Sequence, residues 1–265
     1  MKITALASGS SGNCICVSDG ENSFLIDAGI SKKKIEEGLA TIGVLPEKLK
    51  GILITHEHID HIRGLGVFLR KYDIPVYGTE ETLESVTECS SLGKINTELF
   101  QSISPDKEFN VAGFGIRPLR ISHDAVNPVA YRFEKNDKSG AVITDLGLYN
   151  DYIVDNLKGM DAILIEANYD LNMLQTGVYP YKTKQRIWGE RGHLSNEMSG
   201  RLIGKIISEK LKYVTLGHLS KENNYPELAY EAVRNEVNAS QNNFDVNKIN
   251  LTVARRDIPS DTIEV

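Results

Sequence analysis

The chain has 265 residues, 41% of them hydrophobic and 25% charged, with a formal net charge of -6. That length fits one α/β domain, residues 1–265, and the composition is that of a globular protein. No run reaches the ~20 consecutive apolar residues of a membrane-spanning helix, so no membrane association is expected. The negative charge argues against bulk attraction to phosphate backbones, which leaves local basic patches or bound cations for that task.

The start, MKITALASGSSGN, turns to Gly and Ser before a signal-peptide core of ~7–15 apolar residues can form, and Cys14, Cys16 and Cys89 are odd in number and badly spaced to bridge. A reduced, cytoplasmic chain is expected. KITALA, NCICVSD and SFLIDAG read as three short strands of a meander, with Asp27 just past the third. SKKKIEEGLATIG has a Ser cap and helical spacing at Ile35, Leu39 and Ile42. GILITHEHID starts as a buried strand and ends polar, and a helix is predicted over 60–72. The strand PVYG and a Thr79-capped helix carrying Leu83 and Val86 follow.

The second half has strands GIRPLRIS, VAYRF, GAVITD and AILIEA, a helix over 196–210, the strand KYVTLG, the helix PELAYEAVRNEVN and the strand NKINLTVAR. Strands inside and helices outside in both halves predict two sheets packed face to face with helices on their outer faces.

The six histidines are concentrated, because His56, His58 and His61 fall with Asp60 in THEHIDH. Two imidazoles two apart on extended backbone face one way, and a turn into a helix swings Asp60 and His61 towards the same point. Elsewhere ISHD, VITD and TLGH end apolar strands at His123, Asp145 and His218. Together these make seven ligands: His56, His58 and His123 for one divalent ion, Asp60, His61 and His218 for a second, and Asp145 bridging them. A hydroxide shared by the two ions would be nucleophilic near neutral pH.

These residues resemble the metallo-β-lactamase superfamily, whose H-x-H-x-D-H motif stands here as residues 56–61. The resemblance implies a four-layer αβ/βα sandwich, two mixed β-sheets flanked by helices, and a two-metal site holding Zn2+ or Mn2+, or Fe. It makes Asp27 a carboxylate that orients ligands, against the simpler reading of a turn aspartate before Ala28-Gly29. His58 stands where the flavodiiron branch has a carboxylate, which disfavours redox chemistry.

The phrase His-Leu-Ser occurs twice, at 193–195 and 218–220. With His218 a ligand, His193 is left over, and so is Glu166 at the end of AILIE. In the phosphodiesterase branches, including tRNase Z and the β-CASP nucleases, a strand-end glutamate pairs with an extra histidine before a helix, and LIEANYD and GHLSN resemble those two motifs. Asp60, Glu166 and His193 are then the catalytic candidates, with an imidazolium passing a proton to the leaving alkoxide. The plainer alternative for His193 is a helix-start histidine satisfied locally.

The whole chain is similar to the YycJ/WalJ family through LASGSSGNC, THEHIDH, TDLG, GVYPY, RGHLSN and GHLSKENNYPELA. That family implies a DNA exonuclease working from the 5′ end, with nucleic acid as substrate and no obligate protein partner. Neither a long insertion between Asp145 and His193 nor an extended arm is present, so structured-RNA maturation is disfavoured. Candidate substrate contacts are Tyr181, Lys182, Lys184 and Arg186 in a basic, aromatic stretch, Ser10 and Asn13 in SGSSGN, Ser195 and Asn196 at a helix start, and Lys221 and Asn223 after His218. Each has a bland alternative: an amphipathic surface segment, a hairpin turn or helix capping. Two rival functions fit the same residues, a hydrolase of small esters, thioesters or lactams, and a metal-bound regulatory binding protein.

Overall fold

The computed structural model describes residues 1–240 and 246–265. The chain divides into two compact units, one of Met1–Arg120, Ala125–Asn136 and Arg255–Glu264, the other of Ile121–Asp124, Asp137–Ala254 and Val265.

The first unit opens on the expected meander, in which β1 (Lys2–Ala7), β2 (Cys14–Ser18) and β3 (Ser23–Ile26) pair antiparallel across short turns. Helical crossovers then make the pairing parallel. α1 (Lys32–Thr41), capped by Ser31, leads to β4 (Leu49–Leu53). α2 (Ile59–Ile62) and α3 (Leu65–Leu69) lead to β5 (Val76–Thr79), and α4 (Glu80–Glu88), capped by Thr79, leads towards β6 (Phe100–Ile103). β3 to β6 are mutually parallel. Antiparallel β7 (Phe109–Val111), β8 (Phe114–Arg120) and β9 (Val129–Lys135) complete the unit's main strands.

The second unit alternates β10 (Lys138–Ile143), α5 (Asp151–Leu157), β11 (Ala162–Glu166), α6 (Leu171–Thr176), α7 (Tyr181–Trp188), α8 (Asn196–Ile206), β12 (Tyr213–Gly217), α9 (Pro226–Ala239) and β13 (Asn250–Val253). Its four strands are parallel, and AILIE of β11 is buried throughout, as a strand covered on both faces must be. Finally β14 (Ile263–Glu264) returns to β1 in the first unit. One mixed sheet has the order β14-β1-β2-β3-β4-β5-β6, and β7 to β13 form the other.

The apolar positions read from the sequence are core. Ile35 and Leu39 of α1 pack with Leu6, Leu25, Ile52, Ile54, Leu65 and Phe68. No helix among the described residues is long and apolar enough to cross a membrane. Cys14, Cys16 and Cys89 are free.

Two predicted helices are shorter than expected, for physical reasons. The helix over 60–72 is broken into α2 and α3 at Gly64, whose N–H donates to Ala28 O (2.8 Å) and where a Cβ would lie 1.9 Å from Ile30 O. The helix over 196–210 stops at Ile206, because the chain turns so that Lys212 N donates to Asp161 O (2.9 Å). The strand over 51–60 likewise ends at Leu53, and the polar residues after it form a loop.

A charge cluster ties α1 to the end of α3. The Glu36 carboxylate accepts from Lys71 Nζ (2.7 Å), Tyr72 Oη (2.6 Å) and Lys32 Nζ (3.1 Å). The Lys71 and Tyr72 hydrogen bonds, then Lys32, lower its pKa from 4.5 to about 2. A lowered native pKa stabilises above the unfolded value, and that contribution is lost as pH falls through the native one. Glu36→Gln is therefore expected to lower Tm at pH 7, with the gap from wild type closing between pH 4.5 and about 2 in parallel thermal melts.

Candidate metal centre

In the first unit the motif 56–61 leaves β4 and enters α2, with His58 as the N-cap residue and His61 N donating to His58 O (2.8 Å). A glycine admits this packing. At Gly29 a Cβ would lie 1.6 Å from Asp60 O, beside Asn13 N, which itself donates to Asp60 O at 2.8 Å. Three backbone segments thus meet where only a hydrogen fits.

Asp27 follows β3 directly, buried and at φ 62°. Its carboxylate accepts from Thr55 N (2.8 Å), Thr55 Oγ1 (2.9 Å) and His61 Nδ1 (2.7 Å). Burial pushes this carboxyl up even against His61 and the Thr55 hydrogen bonds. Because the Thr55 hydroxyl spends its proton on Asp27, it accepts from His56 Nδ1 at 2.9 Å. Both imidazoles thereby carry their proton on Nδ1, and Nε2 keeps the lone pair that a cation needs. The His56 ring lies 4.6 Å from that of His58 and 4.1 Å from that of His61, and His61 Nε2 is 3.5 Å from Asp60 Oδ2.

The second unit repeats the device. His123 Nδ1 donates to Gly192 O (3.0 Å), and Glu166 Oε1 accepts from His193 Nδ1 (2.7 Å) and lies 3.1 Å from His218 Nδ1. Glu166 Oε2 accepts from Leu146 N at 2.8 Å, so this wholly buried carboxylate is fixed at both oxygens. Burial pushes its pKa up, but the His193 and His218 contacts outweigh that and hold it below its ordinary value. At His123 burial dominates and lowers the pKa, against the pull of Asp145. A neutral imidazole is the form that binds metal.

Asp145 and His218, like Asp27, stand just past parallel strands in left-handed backbone, at φ 59° and 53°. Such conformations cost ~1–3 kcal/mol each and persist where the surroundings over-determine them. Asp145 Oδ1 is 3.5 Å from His218 Nε2, 3.7 Å from His123 Nε2 and 3.7 Å from His193 Nδ1. Asp145, Glu166, His193 and His218 offer one ligand atom each, all within 4.8 Å of one another. Exposure separates the two His-Leu-Ser phrases: the His218 side chain is 2% exposed and that of His193 16%. Both phrases clasp the end of β11, since Asn168 N donates to Leu194 O and Ser220 N to Asn168 O.

The donor set fits divalent cations. Five imidazoles have an oxygen partner at Nδ1, and carboxylates stand beside them, which is a nitrogen and oxygen set suited to zinc, manganese or iron.

The candidate substrate residues lie in varied settings. Tyr181 and Lys182 are exposed on α7, and Ser10 and Lys221 are exposed on loops. Lys184 Nζ donates to Gln175 O, and Arg186 pairs with Asp124. Asn13 is buried, bonded to Gly9 and 3.2 Å from His61 Nε2. Ser195 Oγ caps α8, Asn196 pairs with Asn224 in the interior, and Asn223 donates to Ser220 Oγ. Sequence reasoning missed Thr55, Asn168 and Asp124. The first and last adjoin motif histidines, and Asn168, two residues past Glu166, donates to His218 O at 2.8 Å.

The family model described as "Beta-lactamase superfamily domain" matches residues 22–214. The chain belongs to the metallo-β-lactamase superfamily. Within that superfamily, the exodeoxyribonuclease WalJ of Streptococcus pneumoniae is 42% identical over 89% of this chain and 88% of its own length. The exodeoxyribonuclease YycJ of Bacillus anthracis is 39% identical over 88% of each. Among solved structures, the metallo-β-lactamase fold protein YhfI of Bacillus subtilis matches at TM-score 0.71 and 17% identity, over 98% of this chain and 99% of its own. Zn2+-bound PqqB of Methylobacterium extorquens matches at 0.73 and 18%, over 98% and 100%. The expected fold class, two mixed β-sheets flanked by helices, is the one observed.

Proposed function

We propose that the protein is a metal-dependent exodeoxyribonuclease that removes nucleotides from the 5′ end of DNA. The observation that carries this reading is His193 held by buried Glu166 at 2.7 Å, a pair that hydrolysis of a small amide or lactam does not call for. Relatives named exodeoxyribonucleases at 42% and 39% identity support it.

In this reading His56, His58 and His123 would hold one divalent ion, Asp60, His61 and His218 would hold a second, and Asp145 would serve both. When bound, such ions polarise phosphoryl oxygens and bring the pKa of a water towards neutrality. The chain's own groups do the rest. Asp27 and Thr55 fix the tautomers of His61 and His56. Glu166 steadies His193 through Nδ1, so a protonated His193 presents Nε2–H to a phosphoryl oxygen and delivers that proton to the departing alkoxide. Glu166 stays ionised and offsets the imidazolium charge. Exposed Tyr181, with Lys182 beside it, offers a ring for a base and an ammonium for a phosphate. A cytoplasmic location accords with three free cysteines.

The test is purified protein with manganese or zinc, assayed on 5′-phosphorylated duplex DNA and on a panel of esters, thioesters and lactams. Progressive shortening from the 5′ end is expected. Turnover of the small substrates with intact DNA would overturn the reading.

A further inference from the structure

α7 presents a stability problem. It has eight residues, none fully buried and its apolar Ile187 and Trp188 only half-buried, so little apolar area holds it, and an isolated helix of that length does not persist in water. Its order must come from ties at its ends and from side chains. The amino end is tied locally, by Lys184 N to Pro180 O and Lys184 Nζ to Gln175 O. The carboxyl end is tied to a distant turn. Arg186 makes a two-pronged ion pair with Asp124, through Nε to Oδ2 and Nη2 to Oδ1, 62 positions away in sequence.

The segment after α7 clasps the same turn. Ser122 Oγ donates to Glu190 O (2.8 Å), Arg191 Nε to His123 O (3.1 Å), and His123 Nδ1 to Gly192 O (3.0 Å). His193 N in turn donates to Ile187 O at 2.9 Å, so hydrogen bonds link α7, the turn 122–124 and His193 into one connected set. Asp124 is also close to the reacting end of its neighbour, with Oδ1 3.4 Å from His123 Nε2. A carboxylate there competes for that nitrogen unless something else holds it.

We propose that Arg186 and Asp124 are a positioning pair: Arg186 holds the Asp124 carboxylate, anchoring α7 to the His123 turn so that DNA lying on α7 is registered against His123 and His193. This rests on the exonuclease reading for its substrate but not for its mechanical content. It assigns Arg186 a partner within the protein rather than a phosphate of the substrate. The bidentate geometry matters, so Lys at 186 is a poor replacement even though it keeps the charge.

The experiment uses the full chain as Arg186→Met, Arg186→Lys and Asp124→Asn. Two readouts are taken: the rate of tryptic cleavage within 182–191 in the folded protein, and KM and kcat on 5′-phosphorylated DNA. Faster cleavage at Lys182 and Lys184 is expected in all three variants, at least fivefold in Arg186→Met and less in Arg186→Lys. KM is expected to rise about tenfold with kcat falling less than threefold. Unchanged proteolysis in Arg186→Met and Asp124→Asn would overturn the positioning pair, whether or not the protein cleaves DNA. If proteolysis accelerates while kcat collapses and KM holds, the registry role is wrong. A KM rise in Arg186→Met that Asp124→Asn does not share would instead make Arg186 a direct phosphate contact, and that too overturns the proposal.

Discussion

His193→Ala is expected to lose DNA cleavage by ~10²–10⁴-fold, the usual contribution of a positioned proton donor, while keeping its metal. His218→Ala is expected to lose both. The contrast follows from position, because the two histidines share the Glu166 Oε1 atom but differ in exposure, 16% against 2%. A buried imidazole beside Asp145 is placed to bind an ion, and a partly exposed one to meet substrate. The alternative is concrete, since His193 lies with Asp145, Glu166 and His218 in a group able to hold a cation. Metal content measured by mass spectrometry, alongside cleavage rates, decides between them. Equal metal loss in the two variants would make His193 a ligand and leave the leaving group without its acid.

Gly29→Ala is expected to do severe structural damage to the packing against the first unit's motif. The new Cβ would stand 1.6 Å from Asp60 O and 2.8 Å from Asn13 N, so backbone rather than a flexible side chain must give way. Overpacking a core costs ~1–3 kcal/mol where side chains can shift, and here the cost should reach or exceed the upper end. Asp60 and His61 would be displaced with the carbonyl, so metal content should fall together with the urea midpoint. A midpoint change within the ~0.5 kcal/mol of an ordinary surface substitution would show that the three segments are not packed as described.

Much of the candidate site was legible because the fold places its candidate ligands at strand ends. An apolar run that stops at a His or Asp marks a strand end facing a site rim, and Asp145 and His218 stand in that place after parallel β10 and β12, with His123 after antiparallel β8. THEHIDH was legible because four candidate ligands fall within six residues. The orienting role of Asp27 was legible only through the resemblance, since nothing local reveals that its carboxylate meets Thr55 and His61. The break at Gly64 was hidden, because the apolar spacing of 60–72 is helical and only the nearby Ile30 carbonyl forces the chain out of line. The Asn196–Asn224 pair was hidden for the same kind of reason: a helix-start Asn reads as a free cap until a second buried amide, 28 residues on, claims it. The Asp124 partner of Arg186 was hidden, because a sequence records charge and not the carboxylate 62 positions away that it meets.

We propose that paired cations, gathered by these histidines and aspartates, let this chain hydrolyse DNA from its 5′ end. Its most direct test is a titration of the metal-stripped protein with manganese while nucleotide release from 5′-phosphorylated duplex DNA is followed. No release is expected without metal, and the rate is expected to rise to a plateau at two ions per chain. Release that persists undiminished in excess chelator, or none at any manganese or zinc concentration, would contradict it.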